Sequence, residues 1–254
     1  MLKWVVLGSG CFSPEPGETG ATVRNPAGHA LVVGRDILLF DLGFGDLGQM
    51  FRAGLDPACA THLFFSHRHP DHVGDLPALL FYYRYARKPR GGRLHVCGPR
   101  GFAGFFQRLE RAHHPWLKPK GFEIKISELE ERDVVNGGDW RVLCREVPHS
   151  TEAIALRWEG GRRSVCYSGD TGFDPGFSLF AQQADLLVLE CSLPDGAKNA
   201  SHLQVSQSLQ LVKTSGARRS LLTHLSRSSF QELSKRALSP KIRIASDLMQ
   251  IRVG

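Results

Sequence analysis

The stretch Thr61-His-Leu-Phe-Phe-Ser-His67-Arg-His69-Pro-Asp71-His72 joins the core of an apolar strand to a short polar loop. Leu63-Phe64-Phe65 has the composition of a strand interior, and Pro70 prevents an ordinary strand from continuing. Four side chains able to bind a metal, spaced H-x-H-x-D-H, follow within six residues. Three imidazoles and a carboxylate this close together would be costly to bury without a cation. The stretch therefore predicts a metal site on a loop between a strand and a helix.

Further ligands are expected from distant parts of the chain, because four side chains are too few to hold two divalent ions. His149, Asp170 and His224 each follow an apolar run of strand character and precede a polar turn. Strand ends that gather at one edge of a sandwich can converge on a single site. Taken singly, each of these three residues is also typical of an ordinary turn or capping position.

Composition and charge exclude several classes of protein. Of the 254 residues, 42% are hydrophobic and 22% are charged, which is typical of a globular protein and argues against a disordered chain. No apolar run approaches the roughly 20 residues that span a bilayer, so we expect no membrane association. The net charge of +7 permits an anionic substrate, although a basic surface alone would account for it.

Cysteine and histidine usage bears on compartment and chemistry. The six cysteines form no C-x-x-C motif, and the apolar stretch at residues 1–8 is too short for a signal peptide. We therefore expect reduced thiols and a cytoplasmic protein. The 11 histidines are the unusual feature, because imidazole is the commonest metal ligand at neutral pH.

The hydrophobic pattern predicts a mixed α/β (α+β) fold. Many short apolar runs bounded by Gly, Pro or Asp predict strands, and several are apolar throughout, as strands covered on both faces are. Helical periodicity predicts helices after Leu76, over 101–112 and over 203–215. For the last of these, Ser201-His-Leu-Gln204 has the form of a capping box and Gly216 that of a helix end. Two sheets face to face with helices outside, in one domain over 1–254, would accommodate this mixture.

A basic segment follows the first predicted helix. Between residues 82 and 93 the chain carries Arg84, Arg87, Lys88, Arg90 and Arg93. The segment is either a solvated loop or a rim that contacts a phosphate group.

The ordered motifs resemble those of the metallo-β-lactamase superfamily. They are the 67–72 cluster, His149, Ser168-Gly-Asp170-Thr-Gly and Leu222-Thr-His224-Leu, preceded by Leu38-Leu-Phe-Asp41-Leu-Gly. The closing segment Ile244–Val253 resembles the last strand of that family. The resemblance covers nearly the whole chain and implies a four-layer αββα sandwich with its site at one edge. It also implies that Asp41 braces a ligand histidine.

The resemblance further implies a site for two divalent ions. His67, His69 and His149 would hold one ion, Asp71, His72 and His224 the other, and Asp170 would bridge both. These nitrogen and carboxylate ligands suit zinc, with manganese or iron as alternatives. Two-zinc β-lactamases carry Cys at the position of Asp170, and the oxygen-reducing di-iron branch carries Glu at that of His69. The resemblance therefore favours the hydrolytic branch: thioesterases, lactonases and phosphodiesterases.

A second pair of residues resembles the Glu and His of ribonuclease Z-like phosphodiesterases. These are Glu190 and His202, which otherwise would be a strand-end carboxylate and a surface helix residue. The resemblance implies attack by a metal-bridging hydroxide that Asp71 orients. His202, aligned by Glu190, would protonate the leaving oxygen. The capping box would place His202 in the first turn of a helix, where an anion is favoured.

One part of ribonuclease Z is missing from this chain. Bacterial ribonuclease Z has a long tRNA-gripping arm between the residues that match His149 and Asp170, whereas here only 21 positions separate them. The Pro- and Lys-containing loop near the N-terminus of that enzyme has only weak counterparts here, Pro14, Pro16 and Arg24-Asn25. These differences favour a smaller anionic phosphodiester, such as a cyclic nucleotide or a short nucleic-acid (RNA) end.

Three functions stay open at this stage. They are a phosphodiesterase, a thioesterase or lactonase with the same metals, and a non-catalytic metal-binding protein. The expected partner is the phosphodiester itself, with a homodimer suggested only by analogy.

Overall fold

Two seven-stranded β-sheets pack face to face over the residues that the computed structural model describes, 2–11 and 24–254. Helices cover the outer face of each sheet. The layers are therefore helix, sheet, sheet and helix, and the predicted four-layer αββα sandwich is confirmed. Pro14 and Pro16 of the N-terminal loop lie outside the described residues.

The first sheet joins an antiparallel half to a parallel half. Its strands are β1 (Leu2–Gly8), β2 (Gly28–Val33), β3 (Asp36–Leu42), β4 (Ala60–Phe64), β5 (Arg93–Pro99), β6 (Glu123–Leu129) and β14 (Gln250–Arg252). Their spatial order is β14-β1-β2-β3-β4-β5-β6. The pairs from β3 to β6 are parallel, and those from β14 to β3 are antiparallel.

The second sheet has the same division. Its strands are β7 (Val134–Asn136), β8 (Trp140–Glu146), β9 (Ile154–Gly160), β10 (Arg163–Tyr167), β11 (Leu186–Glu190), β12 (Ser220–Thr223) and β13 (Ile242–Ile244). Their spatial order is β13-β12-β11-β10-β9-β8-β7. The pairs from β10 to β13 are parallel, and those from β7 to β10 are antiparallel.

The helices divide between the two outer layers. They are α1 (Asp46–Arg52), α2 (Pro70–Val73), α3 (Leu76–Tyr85), α4 (Phe102–Ala112), α5 (Phe177–Phe180), α6 (Val205–Ser215) and α7 (Arg227–Ser234). Buried residues of α1, α3 and α4 pack on the first sheet, and those of α5, α6 and α7 pack on the second.

Apolar strands without alternation are explained by burial on both faces. In β3, Leu38 and Phe40 point into the core between the sheets, whereas Ile37 and Leu39 point to the helices outside. All four are at most 4% exposed. Strand side chains alternate between faces, so a strand covered on both sides must be apolar at every position.

The parallel strands position the site. β3 and β4 of one sheet and β10, β11 and β12 of the other end at the same edge of the sandwich. The predicted ligand and acid residues lie at these ends or in the loops that follow them, except His149, which follows β8, and His202, which lies shortly before α6. Ligand sites at the carboxyl ends of parallel strands are common in mixed folds.

Several local predictions differ from the structure. The closing segment Ile244–Val253 is two strands rather than one, because β13 ends at Ile244 in the second sheet and β14 begins at Gln250 in the first. The turn between them carries the chain from one sheet to the other, and Asp247 in this turn accepts hydrogen bonds from the Ser9 and Asn25 amides.

The basic segment 84–93 does not contribute to the site edge. Arg90 pairs with Asp36 at the start of β3, and Arg93 pairs with Glu123 at the start of β6. These strands begin at the edge opposite to the one where the ligand residues gather. Of the two alternatives, these contacts favour the solvated loop, in which Arg87, Arg90 and Arg93 pair with surface carboxylates.

Two expectations from composition concern membrane-spanning helices and the state of the cysteines. Across the described part of the chain, no helix combines the length and the apolar character needed to cross a membrane. The six cysteines all fall within that part, and each is a free thiol.

Candidate metal centre

The structure brings the seven predicted ligand side chains together around Asp170. One carboxylate oxygen of Asp170, Oδ2, lies 3.6 Å from His67 Nε2, 3.3 Å from His72 Nε2 and 4.0 Å from His149 Nε2. The other oxygen, Oδ1, lies 3.3 Å from His224 Nε2. A buried carboxylate thus contacts four imidazoles from three separate segments of the chain.

The donor atoms fall into two main groups, each able to hold one ion. One group comprises His67, His69, His149 and Asp170, and the other comprises Asp71, His72 and His224. Within each group all donor atoms lie within 4.8 Å of one another. A third combination, Asp170 with His202 and His224, requires His202 Nδ1, which is already hydrogen-bonded to Glu190 at 3.1 Å.

Unusual backbone conformations direct side chains into the centre. Asp41 at the end of β3 and His224 after β12 both have positive φ, 58° and 54°. Gly169, next to Asp170, has φ 56°, and a Cβ there would lie 2.4 Å from Ser66 Cβ. Left-handed residues at strand ends are strained for all but glycine, and such strain is concentrated at functional sites.

Asp41 fixes the orientation of two histidines. Its Oδ2 accepts hydrogen bonds from His72 Nδ1 at 2.8 Å, Ser66 Oγ at 2.7 Å and Tyr167 OH at 2.6 Å. Because Ser66 donates its proton to Asp41, its oxygen must accept from His67 Nδ1, which lies 3.0 Å away. His67 and His72 therefore carry their protons on Nδ1 and present Nε2 to Asp170.

Two further histidines are fixed in the same tautomer. His149 Nδ1 donates to the Ser201 carbonyl at 2.8 Å. Ser192 Oγ donates to Glu190 Oε2 at 2.5 Å, so it must accept from His224 Nδ1 at 2.8 Å. In both rings Nε2 then faces the centre as an electron-pair donor.

This arrangement fits cations. His72 Nε2 and His224 Nε2 lie 3.2 Å apart, so once His72 has lost its Nε2 proton both nitrogens present lone pairs to the same space. Among the described residues, His67 Nε2 and Asp170 Oδ1 are buried with no hydrogen-bond partner. His69 adds Nδ1, 3.3 Å from His149 Nε2. Nitrogen and carboxylate donors converging in this way match the preferences of zinc and similar divalent ions.

Burial and charge act in opposite directions on the pKa values here. Burial lowers the pKa of His67 well below its ordinary value. Burial also lowers the pKa of His72, but Asp170 and Asp41 outweigh it and hold that pKa well above the ordinary value. A cation bound beside His72 must displace its proton, so metal affinity is expected to rise with pH.

Glu190 and His202 lie beside the centre, but the predicted helix start is wrong. α6 begins at Val205, and its capping box is formed by Gln204 and Gln207 rather than Ser201 and Gln204. His202 therefore precedes the helix, and it is buried rather than a surface helix residue. The Ser201 carbonyl accepts a hydrogen bond from His149 Nδ1.

Glu190 holds His202 in place through its carboxylate. Glu190 Oε1 accepts from His202 Nδ1 at 3.1 Å and from the Thr171 amide at 2.6 Å, and Oε2 accepts from the Leu203 amide at 3.2 Å. Burial lowers the pKa of His202, but the Glu190 hydrogen bond and charge outweigh it and raise that pKa to about 9. His202 Nδ1 lies 3.8 Å from Asp170 Oδ2, so the imidazole borders the ligand cluster.

Sequence reasoning missed the residues that orient the histidines. Ser66, Tyr167 and Ser192 bind ligand or acid residues from the side away from the centre. Ser66 adjoins His67 and Ser192 follows Glu190 by two positions, but hydroxyls so placed are common in turns. The position of Tyr167 opposite Asp41 depends on the packing of the two sheets.

A cavity of about 200 Å³ opens beside His149. Its walls include Leu129, Val147 and Arg100. Arg68, between two of the ligand histidines, pairs with Glu152 and donates to Thr151 Oγ1 at 3.1 Å, both also in the cavity wall. The cavity thus borders the ligand cluster at His149.

Comparisons with known proteins agree with the fold. Ribonuclease Z of Pyrococcus horikoshii is 26% identical, over all of this chain and 96% of its own length. The metallo-beta-lactamase fold protein YhfI from Bacillus subtilis has a TM-score of 0.81 and 23% identity, over 98% of each chain. A diphosphatase from the PhnP family has a TM-score of 0.78 and 17% identity, over 99% of this chain and 98% of its own.

A family model gives the assignment. The model described as a beta-lactamase superfamily domain matches residues 37–225. That range begins in β3, four residues before Asp41, and ends just after His224. It therefore includes all the ligand and acid residues discussed above, and the chain belongs to the beta-lactamase superfamily.

Proposed function

We propose that the chain is a single-domain (residues 1–254), metal-dependent phosphodiesterase with two divalent ions. One observation carries the proposal: a buried carboxylate, Asp170, lies between two groups of metal-capable side chains, with the Glu190–His202 pair beside them. The likeness to a ribonuclease Z over the full length of the chain supports cleavage of a phosphodiester.

The residues would divide into two ion sites. His67, His69 and His149 would hold the first ion, Asp71, His72 and His224 the second, and Asp170 both. Zinc suits these donors best, with manganese or iron as alternatives. Such ions supply Lewis acidity at phosphoryl oxygens and lower the pKa of water toward about 7.

The chain's own side chains would position and protonate the reactants. Asp71 Oδ2 lies 3.5 Å from His224 Nε2 and 3.7 Å from His72 Nε2, at the side of the second group. From there it would accept a hydrogen bond from the attacking water. His202 would protonate the leaving oxygen through Nε2, because its Nδ1 is held by Glu190. The cluster is largely closed to solvent, which strengthens each of these interactions.

A small phosphodiester fits this chain better than a folded tRNA. β9 and β10 and their short connection account for most of the sequence between His149 and Asp170, which leaves no room for an arm. The cavity beside His149 is large enough for one base or a comparable group, not for a helix of RNA. We propose a cyclic nucleotide or a short nucleic-acid end as the substrate. We further propose that the protein acts in the cytoplasm and assembles as a homodimer.

A substrate panel tests the proposal. Purified protein loaded with zinc or manganese would be assayed against cyclic nucleotides, short RNA, p-nitrophenyl diesters, thioesters and lactones. We expect hydrolysis of the phosphodiesters. Faster hydrolysis of a thioester or a lactone would contradict the proposal and assign the protein to another hydrolytic branch. Full metal occupancy without hydrolysis of any compound would indicate a non-catalytic metal-binding protein.

Asp71→Ala is expected to abolish measurable phosphodiester turnover. The change removes a ligand of the second group and the acceptor for the attacking water, and the loss of one such group costs about 10²–10³-fold even alone. Steady-state rates on a p-nitrophenyl diester measure the effect. Asp139→Ala, which removes an exposed carboxylate before β8, serves as control. Equal activity of the two variants would contradict the role of Asp71.

A further inference from the structure

Ser192 lies between the acid pair and the second ligand group. Its side chain is 1% exposed. Its hydroxyl oxygen is 2.5 Å from Glu190 Oε2 and 2.8 Å from His224 Nδ1. Glu190 in turn holds His202, and His224 contacts both Asp170 and Asp71. One hydroxyl group thus touches a residue from each half of the proposed machinery.

The direction of these two hydrogen bonds follows from proton counting. A hydroxyl has one proton to donate, and a carboxylate can only accept. The proton of Ser192 must therefore go to Glu190, and the Ser192 oxygen must accept the Nδ1 proton of His224. That assignment leaves His224 Nε2 as an electron-pair donor toward Asp71 and Asp170.

We infer that Ser192 is a positioning residue that couples the leaving-group acid to the second ion site. Its hydroxyl sets the tautomer and ring orientation of His224, and it supplies one of the donors that hold the Glu190 carboxylate against His202. The part of the inference that concerns the acid rests on the proposed function, whereas the part that concerns ion binding does not depend on the substrate.

Removal of the hydroxyl has two separate consequences. Without it, His224 Nδ1–H loses the acceptor that fixes its tautomer, in a position closed to water. Loss of such an outer hydrogen bond to a ligand typically weakens metal binding by about 10–100-fold. Glu190 keeps the Thr171 and Leu203 amides, but Oε2 loses its shortest bond, so the carboxylate is held less firmly against His202.

The test compares three substitutions at Ser192 with a matched control. Ser192→Ala removes the hydroxyl, Ser192→Cys removes it while filling the space, and Ser192→Thr retains it. The control is Ser208→Ala, because Ser208 is also fully buried and lies next to Glu190, but its hydroxyl donates to the backbone carbonyls of Glu190 and Gln204 rather than to the Glu190 carboxylate or a ligand histidine. Zn²⁺ affinity is measured by competition with a chromophoric chelator, and circular dichroism verifies folding.

We expect the Ala and Cys variants to bind one of two zinc ions about 10–100-fold more weakly, with Thr and Ser208→Ala close to wild type. Their rates should also fall more on an alkyl phosphodiester, which needs a proton on the leaving group, than on a p-nitrophenyl diester. Unchanged zinc affinity in both Ala and Cys variants, or equal losses in Ser208→Ala, would overturn the inference. Failure of the proposed function is distinct, since it would be seen in the wild-type protein on the substrate panel.

Discussion

Asp170→Asn is expected to reduce the metal content from two ions per chain to less than one and to lower phosphodiester turnover by about 10³-fold or more. Asp170 belongs to the first ligand group, with His67 and His149, and its two carboxylate oxygens lie 3.3 Å from His72 Nε2 and His224 Nε2 of the second. An amide has nearly the same shape but no charge, so the surrounding electron-pair donors lose their common anionic partner. Elemental analysis and steady-state rates measure the two effects.

The control for this change is the same substitution four residues further along the chain. Asp174→Asn removes a partly exposed carboxylate that pairs with Arg145 at 2.7 Å. It should leave metal content and turnover near wild type, because exposed ion pairs contribute little. An Asp170→Asn protein that retains two ions and normal turnover would show that the shared carboxylate does not organise the centre.

His202→Ala is expected to slow hydrolysis of an alkyl phosphodiester by about 10²–10⁴-fold, the usual contribution of a general acid, while both ions are retained. Glu190 holds Nδ1 of His202 and raises the pKa of this imidazole, and we expect His202 to act as an acid rather than as a ligand. A p-nitrophenyl diester should lose much less, because p-nitrophenolate leaves without a proton. The measurement is the rate on the alkyl diester divided by the rate on the p-nitrophenyl diester, compared between the wild type and the variant.

The pH dependence of turnover tests the assignment of His202 as the acid independently. The acid form of His202 predominates below its pKa of about 9. Wild-type turnover of the alkyl diester should therefore fall as pH rises through about 9, and His202→Ala should lack this fall. His113→Ala, at an exposed position after α4, is the matched control and should keep the wild-type profile. Metal loss in His202→Ala would contradict the division between ligand and acid.

The positions of the site residues could be predicted because the information is local. The 67–72 loop is a dense cluster between an apolar strand and a proline, and His149, Asp170 and His224 each follow an apolar run. Strands apolar at every position indicated cover on both faces, and the two sheets with outer helices confirm that interpretation. The metal-binding role of these residues stays a prediction.

The details that could not be predicted depend on contacts between distant segments. Ser201-His-Leu-Gln204 has the form of a capping box, but the helix begins after Gln204, which pairs with Gln207, and the Ser201 carbonyl accepts a hydrogen bond from the distant His149. The closing segment resembles a single strand, but the transfer from one sheet to the other divides it at residues 245–249. Tyr167 and Asp41 are 126 positions apart and meet only when the sheets pack.

The number of metal ions in the purified wild-type protein tests the central claim most directly. Two adjacent groups of donors, the first containing Asp170 and the second 3.3 Å from it, predict close to two transition-metal ions per chain, measured by inductively coupled plasma mass spectrometry after loading and removal of free metal. Protein that is folded by circular dichroism and yet retains no stoichiometric metal would contradict the account.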